Sequence, residues 1–421
     1  MRHWLPDAEL DAHPIASWLM QLGFDAWLRA FYEREIVLPE NFHIAPSTLI
    51  ASNHQRDVDG PMLGLVLAQR RGLRFAWPLP FYAAREDLFR PGILARLTVA
   101  WPHPISAFLG RLSLAWFFPL GRAEPMRRVR EYTLGEALRA LQDAGLGDAD
   151  AASLLNARGR RELGVSGATP LHEALAQASP AALEQWWGLR RLSTHAIGTL
   201  APGFRATVDA HLEHFAGRLD RGRSVYFAPE GTISKDGHFC RVRAGFFRLV
   251  HKTRQPPWVQ PMGLAYDTLA PGRSRVVVKV GTHFRADTAL SRCDFNASLR
   301  RTILDLAPIT PSHLLAHWLL HGPAAFTLDE MMAWMERGLD AVRGVHQAID
   351  PLFARKSIAS LVRGRLRWLE RKGLILRAGY SLRNTCSRDV APGWQSPAHI
   401  VRFLDNQLAD IIPDRERALP C

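Results

Sequence analysis

Short apolar segments that run directly into polar turns set the strongest limit on the fold of this chain. Residues 47–52 (STLIAS) and 224–228 (SVYFA) are such segments, and residues 258–264 and 275–280 are two further strand candidates. Short apolar runs bounded by turn residues are typical of buried β-strands. The stretch between residues 123 and 221 is instead rich in Ala and Leu at helical spacing. Strands joined through helices predict an α/β fold, with a mixed sheet and covering helices.

The regions on either side of this sheet are predicted to be helical. Residues 15–35 have apolar side chains at helical spacing, which predicts a helix that packs on the core or docks on a membrane or partner. Three more helices are predicted at residues 312–320, 328–345 and 357–372, followed by a hairpin around Gly379. We therefore divide the chain into an N-terminal helical region (1–46), an α/β domain (47–308) with a helical insert at about 125–220, and a helical, winged-helix-like C-terminal module (309–421).

The chain is strongly basic. Its 421 residues include 53 Lys and Arg against 40 Asp and Glu, a net charge of +13, which favours an anionic membrane surface, an acidic carrier protein or nucleic acid as partner. A hydrophobic content of 47% argues against a disordered chain. The four cysteines form no CxxC pair, and the N-terminus lacks the apolar segment of a secretory signal. We therefore expect a reducing, cytoplasmic location and no thiolate metal site.

His54 and Asp59 are the first candidates for chemistry. Residues five apart cannot meet in mid-helix, but they can meet if His54 lies in a loop and Asp59 begins a helix, as the following Gly60 and Pro61 favour. A carboxylate bonded to one imidazole nitrogen leaves the other nitrogen to take a proton from a hydroxyl. The pair is therefore a candidate general base, although a His and an Asp at this spacing also occur by chance.

The second candidate is the turn FAPEGTISKDG at residues 227–237. Gly231 would expose backbone N–H groups there, and Thr232, Ser234 and Lys235 add donors suited to a phosphate. Glu230 is a candidate to orient a glycerol hydroxyl. A plain turn is the alternative interpretation.

Together the two motifs resemble the glycerolipid acyltransferase family, the glycerol-3-phosphate and lysophosphatidic acid acyltransferases. The NHxxxxD signature of that family, an HX4D motif, stands here as Asn53, His54 and Asp59. Its FPEGTxS signature stands as Phe227, Pro229, Glu230, Gly231, Thr232 and Ser234. Two departures are an extra Ala228 and Ile233 in the usual place of arginine, so Lys235 or Arg243 becomes the cation expected at the turn. The resemblance also implies that Arg122 of FFPLGR binds the acceptor phosphate, and that residues 259–261 form a fourth block.

This resemblance implies an O-acyltransferase of phospholipid biosynthesis. His54, held by Asp59, would deprotonate the acceptor hydroxyl as it attacks the thioester of acyl-CoA or of an acyl carrier protein. The favoured acceptor is 1-acylglycerol-3-phosphate, with glycerol 3-phosphate next, and no metal or redox cofactor is required. Substrate binding is assigned to Asn53, Arg122, Glu230, Gly231, Thr232, Ser234 and Lys235. The enzyme is expected to lie peripherally on the inner face of the cell membrane, and the apolar segment 93–120 to form an acyl-chain tunnel, a membrane-facing surface or buried core.

Two other patterns compete with this interpretation. His313, His317 and His321 recur every four residues, which places them near one face of a helix. Two His at this spacing can bind zinc, but no HExxH motif is present and no further ligand is evident. We therefore favour a polar helix face over a metal site. Basic residues on or beside the last of the three helices suit DNA, a membrane surface or an acidic carrier protein, or form a solvated face. They are Arg355, Lys356, Arg363, Arg365, Arg367, Arg371 and Lys372. The alternatives to an enzyme are a non-catalytic membrane-docked regulator and a DNA-binding protein, although we do not expect nucleic acid as the partner.

Overall fold

The computed structural model describes residues 14–89, 115–127, 132–165, 167–185, 188–386, 396–413 and 419. The chain forms two compact units, one made of Met1–Tyr82 with Gly217–Cys421 and the other of Ala83–Ala216. Most of the apolar segment 93–120 falls outside the described residues. No helix in the described ranges combines the length and the apolarity needed to cross a membrane.

Strands and helices follow one another in a mixed order along the described residues. The described strands are β1 (Tyr32–Val37), β2 (Thr48–Ser52), β3 (Arg70–Arg71), β4 (Arg74–Phe75), β5 (Phe81–Arg85), β6 (Ala123–Met126), β7 (Val225–Tyr226), β8 (Trp258–Asp267), β9 (Ser274–Val280), β10 (Phe284–Arg285), β11 (Ala325–Phe326), β12 (Ile375–Ala378) and β13 (Ser381–Asn384). The described helices are α1 (Pro14–Phe31), α2 (Asp59–Ala68), α3 (Leu134–Leu141), α4 (Ala151–Leu154), α5 (Ala157–Leu163), α6 (Leu171–Gln177), α7 (Pro180–Leu183), α8 (Thr194–Asp220), α9 (Ala244–Lys252), α10 (Arg292–Leu306), α11 (Pro311–His321), α12 (Leu328–Val345), α13 (Leu352–Arg355), α14 (Ile358–Arg371) and α15 (Pro397–Ile411).

The first unit is built around a mostly parallel sheet. Its strands follow the order β1-β9-β8-β2-β7-β5, and the short β10 pairs with the start of β8. Strand β8 runs antiparallel to β9 and β10, whereas the other neighbours in this order are parallel. Strand β2 is buried along its whole length, and β8 nearly so, as expected for apolar strands covered on both faces. The predicted mixed α/β fold is confirmed at this level.

The predicted strands are confirmed, but the predicted N-terminal helix was wrong at its end. The helix expected over residues 15–35 stops at Phe31, and Tyr32–Val37 form β1 at the edge of the sheet, parallel to β9. This register brings Glu33 and Glu35 to 3.8 and 3.3 Å from the Arg275 guanidinium. The apolar residues at helical spacing end at Phe31, and the residues after it pair with β9 as a strand.

Helix α2 begins at Asp59, as the following Gly60 and Pro61 predicted. Nearly all of its side chains are buried, and it ends at Ala68, where Gln69 takes up a left-handed conformation with φ +46°. The loop before α2 is therefore held between a buried strand and a buried helix. A helix fixed in this way limits the movement of any side chain at its start.

The C-terminal part of the first unit joins helices and a small sheet around one apolar core. The hairpin predicted around Gly379 is confirmed as β12 and β13, and β11 adds a third strand beside β13. Helices α11, α12 and α14 match the three predicted helices, whereas α15 was not predicted. Core residues come from all of these helices and include Leu315, Met335, Leu361 and Leu404. The likeness to a winged helix stays a prediction.

The expected polar face of the histidine-bearing helix was wrong. In α11, His313 and His317 are buried, because α15 packs along this helix, and His321 is partly exposed. The basic residues on or beside α14 also differ in their surroundings. Arg365 is buried and forms an ion pair with Asp267, and Arg355 pairs with Glu35, so these two guanidinium groups are engaged within the protein.

The second unit has its own apolar core and is mainly helical. Helix α3 begins with a capping box, in which Thr133 and Glu136 each accept from the other's backbone N–H. The core side chains include Leu138, Leu154, Leu171, Leu192 and Phe204. Arg191 and Glu162 form an ion pair, which lowers the pKa of Glu162.

Candidate active site

The candidate site lies where strands β2 and β7 end side by side. Because these strands are adjacent and parallel, the loop after β2 and the turn after β7 leave the sheet at the same edge. Two hydrogen bonds join them: the His54 N–H donates to Glu230 Oε1 (2.8 Å), and the Ser234 N–H donates to the His54 carbonyl (3.1 Å). The fold thus brings the two predicted motifs into direct contact.

His54 and Asp59 meet as their positions predicted. The His54 Nδ1–H donates to Asp59 Oδ2 over 3.3 Å, because His54 lies in the loop and Asp59 is the first residue of α2. The imidazole is partly exposed and lines a pocket, whereas the carboxylate is fully buried. No residue in the described ranges forms a hydrogen bond with His54 Nε2. That nitrogen can therefore accept a proton from a hydroxyl placed in the pocket.

Four donors hold the Asp59 carboxylate. Besides His54, the backbone N–H groups of Gln55 (2.6 Å) and Arg56 (2.7 Å) donate to Oδ2, and the Tyr266 hydroxyl donates to Oδ1. These groups and the N-terminus of α2 stabilise a negative charge at this point. Burial, together with the Asp59 charge, raises the pKa of Tyr266 well above its usual value, so its hydroxyl keeps its proton. The carboxylate can therefore fix the orientation of the imidazole.

Asn53 and Glu230, both predicted to bind substrate, bond to protein backbone in this structure. The Asn53 side chain forms two hydrogen bonds with the backbone of Leu264 in β8, at 2.8 and 2.9 Å. The buried Glu230 carboxylate accepts from the N–H groups of His54 (2.8 Å) and Cys240 (2.6 Å). Burial raises the pKa of Glu230 to about 8, against the opposing effect of these two N–H groups. Both side chains thus position the His54 loop.

The other predicted residues of the turn surround Gly231. Gly231 has φ +62°, a left-handed conformation that favours glycine, and its N–H donates to the Ala228 carbonyl (3.0 Å). Ser234 is buried, and its Oγ accepts from the Gly237 N–H (2.9 Å). Thr232 is half-buried and Lys235 is exposed. Ser234 therefore stabilises the turn, and Lys235 lies on its solvent side.

The two arginines expected near an acceptor phosphate lie in different units. Arg243 is next to the turn, since its Nε donates to the Glu230 carbonyl (3.4 Å) and its backbone N–H donates to the Pro229 carbonyl (2.8 Å). Arg122 belongs to the second unit, where it is buried and follows the short 3₁₀ helix Phe118–Gly121 with φ +60°. Its contact with an acceptor stays a prediction.

A pocket opens beside His54. It is lined by the two motifs, by β8 and by the C-terminal helices. The lining includes Asn53, His54, Glu230, Ser234, Phe239, Leu264, Leu304, His313, Gln407, Asp410 and Ile411. The pocket therefore combines the His54 base with an apolar wall.

The contribution of α15 to this pocket was not predicted. Asp410 of α15 accepts from Arg300 (2.9 Å) and from the backbone N–H of Phe239, and the Asn406 side chain donates to the Asp236 carbonyl (2.9 Å). Helix α15 itself has a sequence signal, the apolar spacing of residues 401, 404 and 408, but its partners are distant in the chain. The C-terminal segment is thus part of the candidate site.

Comparisons with known proteins found little similarity. No protein-family profile matches the chain, and no curated protein sequence matches it. Among solved structures, the 1-acyl-sn-glycerophosphate (LPA) acyltransferase PlsC from Thermotoga maritima is similar over 72% of this chain and 81% of that chain, with 12% identity and a TM-score of 0.33.

Proposed function

We propose that this protein is an O-acyltransferase that moves a fatty acyl group from acyl-CoA or an acyl carrier protein to a hydroxyl of a glycerol-phosphate acceptor. The observation that carries the proposal is the His54–Asp59 pair, whose buried carboxylate has four donors and whose imidazole lines a pocket. The favoured acceptor is 1-acylglycerol-3-phosphate, followed by glycerol 3-phosphate, in phospholipid biosynthesis.

In the proposed reaction, His54 acts as a base without a covalent enzyme intermediate. Asp59 keeps the proton on Nδ1, so Nε2 takes the proton of the acceptor hydroxyl while the hydroxyl oxygen attacks the thioester carbonyl. The C–S bond then breaks, and the thiolate leaves with the proton that the imidazolium returns. The ester and the free thiol are the products. A base of this kind contributes about 10² to 10⁴-fold in rate.

Phosphate recognition is assigned to the turn after β7 and its cations. Gly231 takes up a left-handed conformation in this tight turn, Arg243 bonds to the same turn, and Lys235 lies on its solvent side. A phosphate favours such a combination of backbone N–H groups and cations. Thr232, half-buried in the same turn, completes the proposed acceptor contacts.

The acyl transfer itself is the direct test. Labelled acyl-CoA and acyl carrier protein are offered with each of the two acceptors to the wild type, to His54→Ala and to His251→Ala, an exposed histidine outside the pocket. We expect transfer by the wild type and His251→Ala, and a loss of about 10² to 10⁴-fold in His54→Ala. Transfer that survives His54→Ala at an unchanged rate would refute the assigned base, and no transfer to either acceptor would refute the assigned substrates.

We further propose that the protein works peripherally at an anionic membrane, on the inner face of the cell membrane. Helix α1 supports this because it exposes several large apolar side chains and buries three of its polar ones. Ser17, Gln21 and Asp25 are buried, whereas the exposed large apolar side chains are Ile15, Leu19, Trp27 and Phe31. Apolar contact combined with a net charge of +13 suits anionic lipid. Sedimentation with anionic liposomes should be lost in the double variant Leu19→Ser/Phe31→Ser, and unchanged retention would contradict the assignment.

A further inference from the structure

Two histidines and one carboxylate converge between helices α11 and α15, in a cluster that the proposed reaction does not use. His317 and His321 lie one helical turn apart on α11, and Asp405 faces them from α15. His317 Nδ1 is 2.8 Å from Asp405 Oδ1, and His321 Nε2 is 3.0 Å from Asp405 Oδ2. One ligand atom from each side chain lies within 4.8 Å of the other two. Folding thus brings Asp405, which follows His321 by 84 positions in the sequence, next to the two histidines.

The surroundings of the cluster are closed on one side and open on the other. The His317 and Asp405 side chains are 8% and 5% exposed, whereas His321 is 39% exposed. The His317 ring also stacks on Trp334, with 5.8 Å between ring centroids. Two ligands are therefore held in place by packing, and the third lies at the surface with room to adjust.

The three side chains are of the kinds that bind Zn²⁺ in proteins. Two imidazole nitrogens and a carboxylate oxygen are common Zn²⁺ ligands at about 2.0–2.2 Å, and such three-ligand sites leave a fourth position to water. Tetrahedral coordination at those lengths places ligand atoms about 3.3 Å apart. Since the ligand atoms lie within 4.8 Å of one another, closing to that spacing needs at most about 1.5 Å of movement, which the partly exposed His321 can supply.

We propose that His317, His321 and Asp405 form a binding site for a divalent transition-metal ion of the zinc class. The ion replaces the protons that now lie between the imidazole nitrogens and the carboxylate, and the solvent side of the cluster leaves its fourth position to water. The three side chains are separate from the His54–Asp59 pair, and the proposal of a metal site does not rest on acyl transfer.

The consequence of metal binding concerns the pocket. His313, one turn before His317, bonds to Gln407 of α15 (3.1 Å), and both residues line the pocket beside His54. An ion held by α11 and α15 would tie together the two helices that form this wall. The site is therefore structural in role and fixes the C-terminal side of the pocket.

The test is direct metal binding by the full chain, purified without a histidine tag and treated with a chelator. Equilibrium dialysis against Zn²⁺ measures the stoichiometry, and Co²⁺ gives a visible spectrum that reports tetrahedral coordination by nitrogen and oxygen. The variants are His321→Ala, at a partly exposed position, and Asp405→Asn, which keeps the side-chain shape. His172→Ala is the matched control, because His172 is an exposed histidine beside a carboxylate, Asp148 at 3.4 Å.

We expect about one Zn²⁺ per chain in the wild type and in His172→Ala. Affinity should fall at least about tenfold in His321→Ala and in Asp405→Asn, with circular dichroism unchanged. Zinc should also raise the melting temperature of the wild type but not of His321→Ala. The proposal is overturned if the wild type binds no stoichiometric Zn²⁺, or if His321→Ala binds it as tightly as the wild type. Neither result depends on acyl transfer.

Discussion

Replacing Asp59 by asparagine isolates the role of its charge from that of its shape. In the variant Asp59→Asn, the new side chain can keep its one oxygen toward the backbone N–H groups of Gln55 and Arg56, which lie 2.6 and 2.7 Å from Asp59 Oδ2. Its amide nitrogen then points to Tyr266, whose hydroxyl can turn from donor to acceptor. The fold should therefore tolerate the change, and the carboxylate behind His54 is lost.

The expected magnitudes follow from the number and kind of hydrogen bonds. A bond to a charged group contributes about 1.5–3 kcal/mol, against about 0.5–1.5 kcal/mol for a neutral one. Asp59 accepts four bonds, but the asparagine no longer has to bury a charge, so we expect a loss of about 1–3 kcal/mol in the free energy of unfolding. The imidazolium that forms during transfer loses its counter-charge. We therefore expect kcat to fall by about 10² to 10⁴-fold, or about 3–5 kcal/mol.

The assay measures kcat and KM for acyl transfer together with urea unfolding at the same pH. Tyr266→Phe is the matched control, because it removes one donor to Asp59 Oδ1 and leaves the charge in place. It should cost about tenfold or less in kcat. The assignment of Asp59 is refuted if Asp59→Asn is folded and keeps kcat within about threefold of the wild type, or if Tyr266→Phe loses as much activity.

Three further predictions concern stability, each measured by denaturant unfolding. Gly237→Ala should lower the free energy of unfolding by about 2 kcal/mol or more, because φ is +98° and a Cβ would lie 2.0 Å from the Phe403 carbonyl oxygen. The control Gly272→Ala, at φ +92° with open space around it, should lose less stability. With its pKa raised to about 8, Glu230 holds its proton more tightly in the folded state than in the unfolded state. The free energy of unfolding should therefore fall as the pH rises from 5 to 8, by at most about 1.4 kcal/mol per pH unit. Glu230→Gln should flatten this dependence on pH. Burial lowers the pKa of His313 to about 4, so stability should fall as pH drops from 6.5 to 4, and His313→Gln should flatten that slope.

Equal losses in the two glycine variants would contradict the close approach of α15. Slopes unchanged in Glu230→Gln or His313→Gln would show that other groups titrate in those ranges. For His313 the physical reason is specific. Its Nδ1 accepts from the Thr310 N–H (3.0 Å), and a proton on that nitrogen would break the bond.

Local patterns were sufficient where a residue's environment is set by its neighbours in sequence. The strands β2, β8 and β9 were predictable because apolar runs bounded by turns have few alternatives. The start of α2 at Asp59 followed from Gly60 and Pro61, and so did the contact with His54. The edge strand β1 was missed because the helix was extended a few residues past its last apolar residue at helical spacing, Phe31. The partner strand of β1, β9, lies more than 240 positions away in the sequence.

The roles of individual side chains were harder to predict, because hydrogen-bond partners far apart in sequence decide them. Asn53 and Glu230 sit in motifs suited to substrate, yet Asn53 bonds to Leu264 and Glu230 to the His54 and Cys240 backbones. The spacing of the histidines in α11 was evident in the sequence, but nothing near Asp405 in the sequence indicated that it contacts His317 and His321. Buried polar groups need partners, and the chain supplies them wherever the fold places a backbone or a carboxylate. The types of residues in a motif therefore indicate the chemistry of a site. Which of them bind substrate and which position the base depends on the tertiary structure.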